Sequence, residues 1–446
     1  MKEADVVVIG GSAAGTVAGI TVKRHYRDAS ALLIRREDKA MFPSSIPYIF
    51  GTLGSPDKNV IPDALLTESG VELMVDDVSF VDRVSRTLTT KGGEVVGYER
   101  LVLAVGSSPV LPSVPGMELH NVFPVWKESE LLAQAQRVLS RAKNIVIIGG
   151  GIVGAEVADE CKKMGDVNVT IVETLPHCLV LTLDEEYCRV AEDRLEQRGI
   201  RIVTGDGVRA ILGNGGVTGV ELQSGGTLTA DVVIIGSGSV PNAELARDMD
   251  IKIGESRGVW VDEYMRTSDP TIFACGDCAE KFSFFTGQPS PLRSASIAAH
   301  EARVAGANVF ELKRKNRGVV GVRATAFGDF AVAQAGLTEK AAREVGFDVA
   351  VGEASAMDRH PDSMANAREV RAKLVFDRHT GKILGGGLCD GVATAEMANV
   401  VAAMIQSEMT ADEVATFQMG THPCLTASPI QYQIVNAAEQ ALTSMQ

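Results

Sequence analysis

The chain carries the same strand–glycine–helix unit twice. Asp5–Ile9 (DVVVI) is a short β-branched run of the kind buried in parallel sheets. It leads into Gly10-Gly11-Ser12-Ala13-Ala14-Gly15 and then a helical pattern to about Arg24. Asn144–Ile148 (NIVII) leads likewise into Gly149-Gly150-Gly151-Ile152-Val153-Gly154, then a helix and a strand, Val167–Val172, ending at Glu173. This is the context a dinucleotide fingerprint requires, because the turn sets the N–H groups of a helix N-terminus against a diphosphate. The expected fold class is therefore α/β, with two nested Rossmann-like domains.

Within the first unit, Gly10 makes the turn and Gly15 lets helix and strand pack closely. Ser12 takes the middle glycine position, where a small side chain still lets a diphosphate approach. Alone, this motif also fits an ordinary βα turn. The second unit is a full GxGxxG, and Glu173 stands where an acid bonds a ribose 2′-hydroxyl. No Arg or Lys follows in Thr174-Leu175-Pro176 to hold a 2′-phosphate, so NADH is expected in preference to NADPH. The plainer alternative for Glu173 is a solvated acid at a strand end.

Two such units suggest two dinucleotides, one resident and one visiting. Thr267–Ala279 (TSDPTIFACGDCA) adds a third signal: a short apolar strand runs into Gly276-Asp277, where an acid can hold a flavin's polyol. Leu101–Pro109 (LVLAVGSSP) and Asp231–Asn242 (DVVIIGSGSVPN) are apolar strands ending in Gly/Ser turns, where the chain would cross between domains.

In this order and over residues 6–280, GGSAAG, LVLAVGSSP, GGGIVGAE, SGSVPN and FACGDCA resemble the flavoprotein disulfide reductase superfamily. The resemblance is greatest to the branch of coenzyme A-disulfide reductases, NADH oxidases and peroxidases, and persulfide or polysulfide reductases. It implies FAD and NADH as cofactors, with coenzyme A a further candidate ligand. Gly10, Ser12, Ala13 and Gly15 would face the FAD diphosphate, Ala104 and Gly106 would line the flavin, and Asp277 would bind the ribityl chain. Gly149, Gly151, Ile152, Gly154, Glu173 and Gly236 would hold NADH, with Glu156 near the nicotinamide. One departure is Arg35. The second strand of such a unit ordinarily ends in an acid, but here it reads LLIRRED, so FAD would meet Arg35, Arg36 or Glu37.

The resemblance also implies a redox thiol shortly before a Pro-Tyr pair. Pro47-Tyr48 is present in DKAMFPSSIPYIFG (residues 38–51), and counting back puts Ser44 at the thiol's position, with Pro43 beside the cofactor. The segment reads as the start of a helix, where a thiol's pKa would be lowered. Serine keeps the shape but cannot form a disulfide. Three readings stay open: an engineered Cys-to-Ser replacement, a native enzyme passing electrons from flavin directly to its acceptor, or another cysteine serving. Cys275 and Cys278 bracket Asp277 and are expected to be structural rather than a redox or zinc pair. Cys161, Cys178, Cys188 and Cys389 read as packing residues.

Gly420–Thr426 (GTHPCLT) contains a His-Pro pair like that of glutathione reductase-like relatives. There the His serves as acid–base in the partner subunit's site, a role that falls here to His422. A structural loop histidine is the alternative. Cys424 is either a second candidate thiol or a small buried hydrophobe. The catalytic set implied is Ser44, Tyr48, His422 and Cys424. His360-Pro361 reads as a turn. Lys23-Arg24-His25, at the end of the first helix, could meet a coenzyme A phosphate but reads more simply as a solvated helix end.

The net charge of -14 on 446 residues disfavours nucleic acid or an anionic membrane as partner. No apolar run is long enough to span a membrane, no metal-ligand spacing stands out, and the scattered cysteines fit a reducing cytoplasm. The expected organisation is an FAD domain at 1–112 and 243–318, an inserted NADH domain at 113–242, and a C-terminal α+β dimerisation domain at 319–446. A homodimer follows if His422 acts in trans. In the C-terminal part, Val370–Phe376 and Lys382–Gly387 are expected to form a hairpin, and Ala393–Gln406 and Ala427–Leu442 helices. The expected activity is NADH-dependent, FAD-mediated reduction of a disulfide, coenzyme A persulfide or polysulfide. A thiol-independent oxidase, peroxidase or quinone-type reductase is the alternative, and a catalytically weak redox sensor a further one.

Overall fold

Lys2–Ile9 is the central strand of a sheet ordered Glu72–Val75, Ala31–Arg35, Lys2–Ile9, Val95–Leu103, Thr87–Thr90, Val78–Asp82, with Ile272–Ala274 also pairing with Val95–Leu103. The computed structural model describes residues 1–391 and 393–445. The chain divides into two compact units. One comprises Met1–Pro112, Phe123–Ser140 and Ser237–Val319, and the other Ser113–Val122, Arg141–Gly236 and Val320–Gln446.

In the first unit the central strands are parallel, and Val6, Val7 and Val8 are fully buried. Both sheet faces are covered, so the run is continuously apolar rather than alternating. Each such side chain contributes roughly 1.5–3 kcal/mol when buried. Helices Ala13–His25 and Ala295–Asn308 pack on each other through small residues. The two crossing segments meet as a short antiparallel pair, Ser107–Pro109 with Ser239–Pro241.

The second unit repeats the plan with parallel strands Ile200–Val203, Asn168–Val172, Asn144–Ile148 and Val232–Ile235, in that order. A separate five-stranded antiparallel sheet follows: Val322–Phe327, Phe330–Gly336, Ile383–Cys389, Glu369–Asp377, Val349–Met357. Helices Thr394–Gln406 and Gln433–Met445 pack on this sheet. The α/β class and the 370–387 hairpin form as expected.

Two expectations are corrected. The last helix starts at Gln433, not Ala427. Pro429 offers no N–H and disfavours helical backbone at Ser428, so 427–432 stays irregular. The segment around Ser44 forms no α-helix either, but two three-residue 3₁₀ turns, Pro43–Ser45 and Pro47–Ile49. An α-helix from Pro43 would need the N–H of residue 47 as donor, and Pro47 has none. Ile46 N–H bonds the Pro43 carbonyl instead, at 3.4 Å.

Candidate active site

The first glycine turn is built by close backbone contact. A Cβ on Gly15 would fall 1.7 Å from the Gly10 carbonyl oxygen, and one on Gly10 2.2 Å from that of Ala104. Ser12 is the N-cap of Ala13–His25, yet its hydroxyl makes no capping bond, and the first turn holds no acid. That hydroxyl is buried without a hydrogen-bond partner among the described residues. A buried, unpaired hydroxyl is costly, and so are unsatisfied N–H groups at a helix start. An anionic ligand would satisfy both.

A cavity of about 410 Å³ opens at this turn, lined among others by Gly10, Gly11, Ser12, Arg35, Ala104 and Asn242. FAD fits the donor set. Arg35 is a wall of the cavity: its guanidinium binds Asp63, with Nη2–Oδ2 at 2.9 Å, and its stem leaves no room for a Cβ at Gly11. Arg36 and Glu37 also line the cavity, and Arg36 is the more exposed of the two arginines. Asp277 lies on the 3₁₀ turn Gly276–Cys278 and accepts a bond from Ser107 Oγ at 2.9 Å.

Of three further lining residues, Asn242 closes the SGSVPN stretch, whereas Trp126 and Lys127 carried no signal of their own in the sequence. Asn242 ties the crossing loop together, donating Nδ2–H to the Val105 carbonyl (3.0 Å) and accepting from Ser108 Oγ (2.6 Å). Trp126 and Lys127 also line the cavity, with the Lys127 ammonium 5.4 Å from the Trp126 ring centre and beside Gly106.

The second glycine turn copies the first. A Cβ on Gly154 would fall 1.9 Å from the Gly149 carbonyl oxygen. Gly151 caps Ile152–Lys162 and faces open space, where a Cβ would meet nothing within 4 Å. Glu173 Oε2 accepts from the Gly150 N–H at 2.6 Å, and Oε1 from the Leu175 N–H at 2.9 Å. The carboxylate is thus fixed at the turn, where it would meet a ribose diol and repel a 2′-phosphate. Gly236 packs against Gly154 at the end of Val232–Ile235. Glu156, on the buried face of this helix, accepts from Thr325 Oγ1 at 3.0 Å. Burial pushes its carboxyl up to about 7, with the Thr325 bond pulling down and Glu160 pushing further up.

Ser44 is exposed on its 3₁₀ turn, and its neighbour Ser45 bonds Asn59 Oδ1 at 2.5 Å. Tyr48 is half-buried on the next turn. Because no α-helix forms here, no helix field is available to acidify a thiol at position 44. Six cysteines are buried and Cys424 is exposed. Burial raises Cys161, Cys178, Cys188 and Cys389 to about 12 each, and raises Cys275 and Cys278 as well. The reading of Cys424 as a buried hydrophobe is therefore corrected.

His422 is exposed, and its Nδ1 accepts from the Cys424 N–H at 3.2 Å, which leaves the proton of the neutral ring on Nε2. The two His-Pro loops meet. The His360 N–H donates to the Pro423 carbonyl at 3.0 Å, and its Nδ1 lies 3.1 Å from the Thr426 carbonyl. Lys23 donates to the carbonyls of Arg27 and Ala29, both at 2.7 Å, closing the C-terminus of the first helix. No helix among the described residues is long and apolar enough to cross a membrane.

Two glycine turns of the kind that cradles a dinucleotide, in one chain, fit an oxidoreductase class that keeps one redox dinucleotide and turns over another. Residues 4–302 match the pyridine nucleotide-disulphide oxidoreductase family, and residues 322–431 its dimerisation domain. The chain belongs to that family and is an FAD-dependent, NADH-using oxidoreductase. It is 28% identical to an NADH oxidase of Methanocaldococcus jannaschii, over 98% of this chain and 99% of that one. It is 31% identical to an NAD(P)H coenzyme A polysulfide/persulfide reductase of Pyrococcus horikoshii, over 85% of this chain and 86% of that one. Among solved structures, an NAD-dependent persulfide reductase from A. fulgidus superposes with a TM-score of 0.91 at 29% identity, covering 98% of this chain and 83% of that one.

Proposed function

We propose that the protein is an NADH-dependent reductase of a sulfur acceptor, namely a coenzyme A persulfide, a polysulfide or a related disulfide. The observation that carries this reading is the likeness in sequence and backbone to persulfide reductases along most of the chain. FAD, when bound, supplies the two-electron relay between nicotinamide and acceptor. The chain's own residues divide the remaining work. Ser12, Gly10 and Gly15 admit the diphosphate of FAD, and Asp277 takes its polyol. Gly151, Gly154 and Glu173 take NADH and disfavour NADPH. Glu156, on the buried face of the NADH helix, keeps a proton near neutrality. His422, with its proton on Nε2, is a donor for a leaving thiolate, serving a neighbouring subunit in a homodimer. The cytoplasm is the compartment that fits seven unpaired cysteines.

Ser44 favours a second reading, in which electrons leave the flavin directly for oxygen, peroxide or a quinone-type acceptor. No thiol stands at position 44, and the cysteines of the first unit, Cys275 and Cys278, are fully buried. The test is NADH consumption by the wild type and Ser44→Cys with coenzyme A persulfide, polysulfide, oxygen and a quinone. Turnover with sulfur acceptors, increased by Ser44→Cys, supports the first reading. Turnover with oxygen or quinone alone, unchanged by the substitution, replaces it with the second.

A further inference from the structure

The turn that carries Asp277 is gripped from behind by two buried charges. Gly276 has φ +75°, a left-handed backbone, and a Cβ there would fall 2.7 Å from that of Ala14. Its N–H donates to Glu301 Oε2 at 2.9 Å, and its carbonyl accepts from Lys281 Nζ. Lys281 Nζ also donates to the Ala279 carbonyl and to Glu301 Oε2, each at 2.9 Å. The two side chains are 2% and 0% exposed, and Glu301 Oε1 has no partner among the described residues.

An ion pair this deep is a weak source of stability, because desolvation offsets most of the Coulomb gain. Apolar side chains of similar volume often serve the fold as well. They cannot hold the donor and the acceptor of one residue at once, as this pair does at Gly276. On its other side, the Asp277 carboxylate accepts a bond from Ser107 Oγ and feels the charge of Arg293, and neither of these fixes the backbone that carries it. We propose that Lys281 and Glu301 are positioning residues of the flavin site: by clamping Gly276 they fix the direction in which Asp277 presents its carboxylate. The inference rests on the reading of Asp277 as the acid that binds the FAD polyol.

The test is a Lys281→Met/Glu301→Leu double variant of the full chain, followed by thermal unfolding without FAD and by FAD binding. A pair that only holds the fold together would alter apo-protein stability and FAD binding in parallel. The clamp predicts an apo-protein melting close to wild type with FAD affinity about tenfold weaker. It also predicts partial recovery in Lys281→Met/Glu301→Gln, which restores an acceptor for the Gly276 N–H. A double variant that binds FAD as tightly as wild type overturns the inference. If neither double variant folds, the rate of FAD release from Glu301→Gln holoenzyme decides: faster release supports the clamp and an unchanged rate overturns it. A wild-type protein that binds no FAD defeats the flavin reading itself, a distinguishable result.

Discussion

Thr325 donates its hydroxyl to the buried carboxylate of Glu156 at 3.0 Å, tying the C-terminal sheet to the NADH helix within one folded unit. Burial outweighs that bond and lifts the carboxyl from 4.5 to about 7. The folded protein therefore keeps this proton after the unfolded chain has lost it. Glu156 supports the fold fully below about pH 4.5, and that support fades as pH rises to about 7, by about 3 kcal/mol in all. Denaturant unfolding of the wild type and Glu156→Gln between pH 4.5 and 8 should show the variant gaining relative stability as pH rises. Parallel profiles would show that Glu156 titrates normally.

The two glycine turns are predicted to fail separately. In Gly15→Ala or Gly154→Ala the new methyl group lands less than 2 Å from a carbonyl oxygen, so backbone must move. Such overpacking costs about 1–3 kcal/mol. Gly15→Ala should lose flavin on purification, whereas Gly154→Ala should keep it and raise KM for NADH by about tenfold or more. Flavin content and steady-state kinetics measure both. Equal flavin loss in the two variants would contradict the separate roles.

Glu173 is expected to set the nucleotide preference. Its carboxylate spans the Gly150 and Leu175 N–H groups, and no lysine or arginine follows before His177. Glu173→Ala should lower kcat/KM for NADH by about tenfold, the loss of one charged hydrogen bond, while NADPH gains or holds. An unaltered NADH to NADPH ratio would place the ribose elsewhere.

A cysteine introduced at position 44 should behave as an ordinary thiol in the FAD-free protein. The 3₁₀ turns there supply no helix N-terminus. Alkylation of Ser44→Cys, corrected for the wild-type rate at Cys424, should rise with pH through a midpoint of about 8.5. A midpoint near 6 would reveal an acidifying field absent from these turns.

Both glycine fingerprints, Glu173 and the Gly276-Asp277 turn were legible in the sequence, because each depends on local backbone geometry that few residues satisfy. Ser44 was legible as a departure, but its surroundings were not: the helix expected there yields to two turns once Pro47 removes an N–H. Contacts made over long chain distances left no sequence signal. Trp126 and Lys127 reach the cavity at the first glycine turn from beyond the crossing strand, and Arg35 turned out to be committed to Asp63. Neither the grip of His360 on the turn bearing His422 nor that of Glu301 on Gly276 follows any spacing rule.

The most direct measurement is an anaerobic titration of the FAD-reconstituted protein with NADH, followed by the flavin absorbance. Bleaching complete at one NADH per flavin, and shifted to higher NADH in Gly154→Ala, is the predicted result. A protein that stays yellow in excess NADH, or that takes up no FAD, would contradict the assignment of the two cradles.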